Sequence, residues 1–316
     1  MKDVVRKVVQ YQKVAEDSDG QRLDNYLLKI LKGVPKSHIY RIIRSGEVRV
    51  NMKRAKPLDK LFIGDEVRIP PIRTSKEQAV SVTDGFASKL LDSIIYEDDK
   101  FLVVNKPSGM AVHGGSGLSF GVIEALRKLR PELDYLELAH RLDKETSGCL
   151  VLVKKRSQLR ALQSLLEQRK VQKVYWAMLQ DRWHGPTSVI IDAPLQKNIL
   201  TSGERVVKVS DLGKDSASRF KLLENYEKAC MVEVTPKTGR THQIRVHSSY
   251  IGHPILGDAK YGQKKEILLD KSIKMRLCLH ANSISFKLND KEYLFEAIID
   301  EAFANIRSML RDEKAI

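Results

Sequence analysis

The sequence predicts an α+β protein, with a mixed, mostly antiparallel sheet in its larger domain and a small N-terminal domain of helices and short strands. Strand-like segments beyond residue 90 do not alternate with helices in the regular βαβ order of a parallel fold. The first quarter instead shows two helical patterns followed by short strands. A length of 316 residues suits about two domains. We place them at residues 1–72 and 90–316, with a linker at residues 73–89.

Two helices and two strands are predicted in the N-terminal domain. Residues 21–31 and 36–44 repeat apolar side chains at three- and four-residue spacing, which is typical of one buried helical face. Residues 48–50 and 66–69 are short apolar segments next to turns and have the pattern of strands. The basic side chains that we expect at the surface of this domain are Lys36, Arg41, Arg44 and Arg49.

The larger domain shows six strand patterns and three helix patterns. The predicted strands span residues 94–96, 101–105, 150–153, 174–179, 231–234 and 243–247. The predicted helices span residues 120–129, 157–168 and 303–310. Because strands and helices mix without a fixed order, we expect a sheet in which most neighbours are antiparallel.

The charge of the chain is strongly positive, with a formal net value of +15 and a pI near 9.6. Through Arg73 there are 17 Lys and Arg against 9 Asp and Glu, so about half of the excess lies in the first quarter. A polyanionic partner explains such an excess, because neutralising phosphates releases counterions. A generally basic surface without a ligand is the alternative.

Several classes of protein do not fit the sequence. The three cysteines are widely spaced without a CxxC pair, which argues against a disulfide framework or a cysteine zinc site. His242 and His247 are five residues apart and would lie on opposite faces of the predicted strand, so we expect no metal. No apolar run approaches the roughly 18 residues of a membrane span. The N-terminus lacks the pattern of a secretory signal, and we expect a cytoplasmic protein.

The segment HRLDKETSG at residues 140–148 is the strongest candidate for a site. A short polar loop that leads into a buried strand is a good place to hold the carboxylate of Asp143 rigidly at a cleft. Asp143 could equally be a turn residue that bonds the backbone near Thr146. The tripeptide RLD also occurs at residues 22–24, where it starts a helix, so the tripeptide alone carries no information.

Two other segments offer candidate side chains. In KVYWA at residues 173–177, alternation places Tyr175 on one face of a strand, where a half-buried structural tyrosine is the alternative. In TGRTHQIRVH at residues 238–247, Arg245 shares a strand face with other polar residues, and it either meets an anion in a cleft or lies at the surface. The glycine-rich residues 113–117 lack the Gly-Lys-Ser/Thr of a phosphate-binding loop. We expect residues 257–262 to be structural.

The complete pattern HRLDxxTSG resembles the signature of the RluA/RluC family of pseudouridine synthases, and the other segments follow in that family's order. The resemblance implies the pseudouridine synthase fold, with Asp143 as the catalytic carboxylate. It implies that Tyr175 stacks on the target uracil and serves its proton chemistry, and that Arg245 lies against Asp143. Arg141 would fill the gap left by the flipped-out base.

The N-terminal stretch QRLDNYLLKILKGVPKSHIYRIIRSGEVRVN, followed by LFIGDEVRIP, resembles the S-four-type (αL-type) RNA-binding module. In that family the paired helices present basic side chains to folded RNA. The resemblance therefore implies RNA contacts for the four basic side chains named above. A basic helical domain without a ligand is the alternative.

The family chemistry implies an isomerisation of uridine that needs no cofactor. Attack of Asp143 at C1′, attack at C6 of uracil and abstraction of the C2′ proton all stay open. Within the family the resemblance is closest to the RluC type, which implies uridines of 23S ribosomal RNA or its assembly intermediates as substrate and a monomeric enzyme. The alternatives are another rRNA or tRNA target within the same family, or a non-catalytic RNA-binding assembly factor.

Overall fold

The computed structural model describes residues 4–6, 8–31, 34–75, 83–114, 120–199, 205–262 and 275–312. The chain divides into two compact units, Met1–Ser81 and Val82–Ile316. Each unit has buried apolar clusters of its own.

The N-terminal unit combines two helices with a four-stranded antiparallel sheet. Its elements are β1 (Val4–Arg6), β2 (Gln10–Lys13), a 3-10 turn (Glu16–Ser18), α1 (Leu23–Ile30), α2 (Lys36–Arg44), β3 (Arg49–Val50), β4 (Lys53–Arg54), β5 (Glu66–Ile69) and β6 (Arg73–Ser75). The sheet has the order β2-β5-β3-β4, and β1 pairs with β6 separately. Both helices lie within the segments predicted for them, and Leu27, Ile39 and Val67 meet in the core between helices and sheet.

The segment expected as a linker, residues 73–89, holds ordered structure at both ends. Strand β6 occupies its first three residues, and helix α3 (Asp84–Leu91) occupies its last six. Residues 76–82 between them lie outside the described residues.

The larger unit is built on a ten-stranded sheet. Its remaining elements are β7 (Ile94–Glu97), β8 (Phe101–Lys106), α4 (Val122–Leu129), β9 (Glu137–Leu138), β10 (Ser147–Val153), α5 (Arg156–Glu167), β11 (Gln172–Gln180), β12 (Ser188–Asp192), β13 (Leu195–Ile199), β14 (Arg205–Val209), β15 (Ala217–Asn225), β16 (Ala229–Pro236), α6 (Gln243–Tyr250), β17 (Leu279–Leu288), β18 (Lys291–Glu296) and α7 (Glu301–Asp312). Strands β13 and β14 form a separate hairpin.

The large sheet confirms the predicted α+β class. Its order is β12-β15-β16-β11-β17-β10-β8-β7, with β18 beside β17 and β9 beside β10. Among the strand pairs of the described residues, only β10 and β17 run parallel. The mixed, mostly antiparallel sheet was therefore predicted correctly.

Helices cover both faces of the sheet where β8 and β10 pair. Leu102 and Leu150 pack in one cluster with Leu126 of α4, whereas Phe101 and Val151 pack in another with Leu162 of α5. Successive strand residues point to opposite faces, so two fully buried faces require a continuous apolar run. Residues 147–153 are buried throughout and meet that requirement.

The strand predicted at residues 243–247 is wrong, because these residues form helix α6. The alternation of Gln243, Ile244, Arg245, Val246 and His247 suggested one polar and one apolar face. In the structure all five are buried, and internal hydrogen bonds satisfy the polar ones. Because the first six residues of α6 are buried on every side, this part of the helix has no amphipathic pattern, and periodicity could not identify it.

Candidate active site

Asp143 lies in the loop that leads into β10, and its side chain is 30% exposed. The preceding Leu142 is buried in the cluster beneath the loop, and the Asp143 carbonyl accepts a hydrogen bond from the Thr146 N–H at 3.1 Å. His140 anchors the start of the segment, because its Nε2 accepts the Val151 N–H at 3.1 Å. Burial lowers the pKa of His140 to about 3, so the ring is neutral. The loop thus presents the Asp143 carboxylate from a firmly held backbone.

The turn after β8 fastens the next two residues of this loop. Lys106 Nζ and the Gly109 N–H both donate to the carbonyl of Lys144, at 2.9 and 3.0 Å. The Ser108 hydroxyl donates to the carbonyl of Glu145 at 2.7 Å. The segment NKPSG therefore holds the backbone immediately after Asp143.

Lys106 is a fully buried lysine at the base of the site. Its Nζ also donates to the carbonyls of Pro107 and Met110, at 2.9 and 2.8 Å. Burial lowers its pKa to about 7, with Glu145 and Asp143 opposing the shift. Three carbonyl acceptors match the three N–H bonds of the ammonium form.

Gly148 explains the glycine of the signature. Its φ of +109° is a conformation that residues with a Cβ rarely adopt, and an added Cβ would lie 2.2 Å from the carbonyl oxygen of Ala281. Ala281 is its partner in β17. Only glycine therefore permits the close parallel pairing of β10 with β17 directly after the Asp143 loop.

Arg245 in α6 meets two carboxylates. Its guanidinium donates from Nε and Nη2 to Asp258, at 2.8 and 2.7 Å, while Nη1 lies 3.8 Å from Asp143 Oδ2. The Asp258 side chain is 0% exposed. Burial is the largest single influence and would raise the pKa of Asp258, but the hydrogen bonds and charge of Arg245, together with backbone hydrogen bonds from Tyr261 and Lys260, lower it overall. The structure thus places Arg245 near Asp143, with Asp258 as its direct partner.

His242 precedes α6 and also faces Asp143. Its Nε2 lies 3.8 Å from Asp143 Oδ2, and its Nδ1 lies 2.7 Å from the Tyr261 hydroxyl. Burial lowers the pKa of His242, although Asp143 opposes the shift. The Tyr261 ring also lies beneath the Arg245 guanidinium, 5.1 Å from ring centroid to Cζ. His242, Arg245 and Tyr261 therefore form one packed group beside Asp143.

Tyr175 lies in β11, at an irregularity where the pairing with β17 shifts between Val174 and Tyr175. It packs against two apolar clusters. Burial raises the pKa of its hydroxyl, and the charge of Asp143 adds to the shift. Tyr175 therefore keeps its proton at neutral pH and is close enough to feel the charge of Asp143.

The predicted RNA-contacting side chains are all exposed. Arg141 is exposed two residues before Asp143, in the larger unit. The exposed basic side chains of the N-terminal unit are Lys36, Arg41, Arg44 and Arg49. Lys36 and Arg44 lie over the ring of Tyr40, at 5.6 and 5.9 Å from its centroid. The Tyr40 hydroxyl donates to the buried Asp24 at 2.6 Å, which fixes the ring beneath these cations.

Within the described ranges, no three or more His, Cys, Asp or Glu side chains gather as ligands for a metal ion. No helix within those ranges is long and apolar enough to cross a lipid bilayer.

Sequence reasoning missed four residues of the site. Lys106 was not among the candidate residues, although a lysine at the end of an apolar strand is a usable signal. Asp258 and Tyr261 fell in a segment expected to be structural, and His242 was considered only as a metal ligand. In the glycine-rich stretch 113–117, residues 115–117 lie outside the described residues.

Comparisons with known proteins agree on one family. The family model described as RNA pseudouridylate synthase matches residues 100–250, and the S4 domain model matches residues 21–67. Among curated proteins, ribosomal large subunit pseudouridine synthase C of Salmonella typhimurium is 52% identical over 308 residues, covering 95% of this chain and 96% of the relative. The protein of the same name from Pasteurella multocida is 50% identical over 320 residues, covering 99% of this chain and 97% of the relative.

Solved structures confirm the predicted fold. Human RNA pseudouridylate synthase domain containing 4 is 28% identical, with a TM-score of 0.60, covering 72% of this chain and 96% of that one. Human RNA pseudouridylate synthase domain containing 1, at 24% identity and a TM-score of 0.56, has the same fold.

Proposed function

Since this chain belongs to the RNA pseudouridylate synthase family, we propose that it isomerises uridines of large-subunit (23S) ribosomal RNA to pseudouridine, with Asp143 as the essential carboxylate. The curated relatives named above are called pseudouridine synthases of the ribosomal large subunit, and they match nearly the whole chain. The reaction breaks N1–C1′ of uridine and joins C5 of the same uracil to C1′. Substrate and product are isomers, so no co-substrate takes part.

The setting of Asp143 is the observation that carries this proposal. The carboxylate is partly exposed, lies 3.8 Å from both Arg245 and His242, and accepts no hydrogen bond within 3.5 Å from a described side chain. A carboxylate with free lone pairs on a fixed loop is suited to act as nucleophile or base. We assign Arg245 to stabilise its charge.

Tyr175 and Arg141 are assigned to the target nucleotide. A tyrosine near the carboxylate offers a ring for stacking on the uracil, which is worth about 1–3 kcal/mol. Because the raised pKa keeps the Tyr175 hydroxyl protonated at neutral pH, this hydroxyl begins the reaction as a proton donor. Arg141, exposed at the same loop, would occupy the gap left by the extruded base, whose extrusion costs a few kcal/mol.

The N-terminal unit is assigned to RNA binding outside the target nucleotide. Its exposed Lys36, Arg41, Arg44 and Arg49 would contact phosphates of the ribosomal RNA or its assembly intermediates. We further propose that the protein acts as a monomer in the cytoplasm and without a cofactor.

The test is to map pseudouridines chemically across total RNA from cells with and without the gene. We expect specific large-subunit rRNA positions to lose the modification. The gene should restore them, whereas the same gene carrying Asp143→Asn should not. Loss confined to transfer RNA, or no loss at all, would refute the proposed substrate.

A further inference from the structure

His242 has a strained backbone beside the reacting carboxylate. Its φ and ψ are 53° and 21°, in the left-handed region, and its side chain does not cap the helix that follows. Non-glycine residues adopt this region at a cost in free energy, and such residues persist where the surrounding structure holds them. If only the left-handed backbone mattered at this position, glycine or asparagine would fit it better. We therefore expect the side chain of His242 to carry the function of this residue.

The hydrogen bonds of Tyr261 favour one of the two neutral tautomers of His242. The Val207 N–H donates to the Tyr261 hydroxyl oxygen at 3.0 Å. The 2.7 Å contact between this hydroxyl and His242 Nδ1 has no direction fixed by its geometry, and we assign the hydroxyl as the donor because its oxygen already accepts from Val207. In a neutral imidazole one nitrogen accepts and the other donates, so this assignment places the proton of the ring on Nε2.

Nε2 is the nitrogen that faces Asp143. It lies 3.8 Å from Oδ2, the same oxygen that Arg245 Nη1 approaches at 3.8 Å. Both potential donors therefore converge on one carboxylate oxygen and leave Oδ1 without a donor among the described side chains. The charged groups around the ring are Asp143, Arg245, Lys260 and Asp258.

We propose that His242 is a positioning residue for Asp143: its Nε2–H, directed by Tyr261, closes onto Oδ2 when RNA is bound and leaves Oδ1 to react with uridine. In the free protein, Nε2 and Oδ2 are 3.8 Å apart, which is too long for a hydrogen bond. Active-site contacts commonly shorten only in the substrate complex. The proposal rests on the assigned role of Asp143 in the proposed function.

Three replacements of His242 separate a donor role from a backbone role. In His242→Gln the side-chain amide reaches the position of Nε2 and keeps a donor there. In His242→Asn the amide is too short to reach Asp143, although asparagine tolerates the left-handed backbone better. His242→Phe fills the space without a donor. If the side chain donates to Asp143, Gln should be the better substitute; if only the backbone matters, Asn should be.

The readout is the single-turnover rate of tritium release from 5-tritiated uridine in a large-subunit rRNA transcript, with RNA affinity measured separately. We expect His242→Phe and His242→Asn to lose about 100-fold in rate, since small misplacements of a reacting group have effects of this size. His242→Gln should stay within about 5-fold of the parent, and all three should bind RNA alike. Parent-like rates for Phe, or a faster Asn than Gln, would overturn the proposal.

Tyr261→Phe tests the direction of the proton. It should slow the parent protein but add little to His242→Gln, because glutamine has no tautomer to select. Imidazole ¹⁵N shifts report the tautomer without RNA: Nε2 should be protonated in the parent, and protonated Nδ1 would overturn the inference whatever the activity. Failure of the parent protein to turn over any rRNA transcript would instead count against the proposed function.

Discussion

Asp258 holds Arg245 through two hydrogen bonds of 2.7 and 2.8 Å, and both partners are buried. Asp143 faces only the third nitrogen of the same guanidinium, with 3.8 Å between Arg245 Nη1 and Asp143 Oδ2. One carboxylate therefore orients the arginine, and the other keeps its lone pairs available. We expect the two acids to differ in reactivity, because they differ in their hydrogen bonds.

Asp258→Asn should destabilise the protein strongly. Removing one partner of a buried ion pair leaves the other charge uncompensated and costs about 3–5 kcal/mol. The rate of tritium release should also fall, because Arg245 loses its orientation. Urea unfolding measures the first effect. Asp99→Asn serves as control, since its pair with Lys155 is solvent-exposed and should contribute at most about 1 kcal/mol.

Asp143→Asn should behave in the opposite way. Its carboxylate accepts no hydrogen bond within 3.5 Å from a described residue, so the free energy of unfolding should change by less than about 0.5 kcal/mol. Tritium release should be lost, because an amide is neither a nucleophile nor a base of comparable strength. The exposed Asp134→Asn is the matched control and should stay active. Near-normal release by the Asp143 variant contradicts its catalytic assignment.

Lys106→Met should slow the reaction without weakening RNA binding. The replacement removes the donor that holds the Lys144 carbonyl beside Asp143, and we expect a fall of about 100-fold in single-turnover rate. Lys89→Met, at an exposed position of α3, should have no effect. An equal loss of RNA affinity would show instead that the lysine acts on the substrate.

The same lysine predicts a dependence of stability on alkaline pH. The pKa of Lys106 falls from 10.5 to about 7 on folding, so the unfolded chain binds more protons between these values. Stability should therefore rise as pH increases from about 7 towards 10, and Lys106→Met should show less of this rise. Urea midpoints at pH 7 and pH 9 for both proteins provide the comparison.

Local patterns predicted most of the fold, because an amphipathic helix or an apolar strand can be recognised from the spacing of apolar residues within a short segment. Helix α2 and the buried strand β10 were found in this way. Helix α6 was not, since burial on all sides removed its pattern. The pairing of Arg245 with Asp258 depends on how distant segments fold together, and neither residue's neighbours in sequence reveal it. The candidate residues of the site came from a motif, while their partners required coordinates.

Arg41→Gln together with Arg44→Gln should weaken RNA binding and reduce its salt dependence. Each lost phosphate contact lowers the slope of log K against log salt by about 0.7 on a single strand and by about 0.9 on a B-form duplex. Lys287→Gln with Lys291→Gln removes the same charge from exposed positions of the β17–β18 hairpin. If both double variants show the same slope of log K against log salt, Arg41 and Arg44 make no specific contact with the RNA.

Glu224→Gln should make the protein less sensitive to acid. Hydrogen bonds from Arg311 and Arg307 lower the pKa of Glu224 to about 2, against 4.5 for an unpaired glutamate. A lowered pKa contributes stability above pH 4.5, and that contribution is lost as the pH falls towards 2. Unfolding free energies between pH 7 and pH 3 should decline less steeply in the variant than in the parent or in the exposed control Glu292→Gln.

The parallel pairing of β10 with β17 also bears on when the enzyme becomes active during its synthesis. Ser147 and Gly148, at the end of the loop that carries Asp143, pair with His280 and Ala281, so more than a hundred residues must be translated between the partners. Contacts so distant in sequence form late, after a large loss of chain entropy. A nascent chain that has emerged only as far as β16 therefore carries Asp143 without the strand that supports its loop. We therefore expect modification of ribosomal RNA by this protein to begin only after its last strands have left the ribosome that makes it.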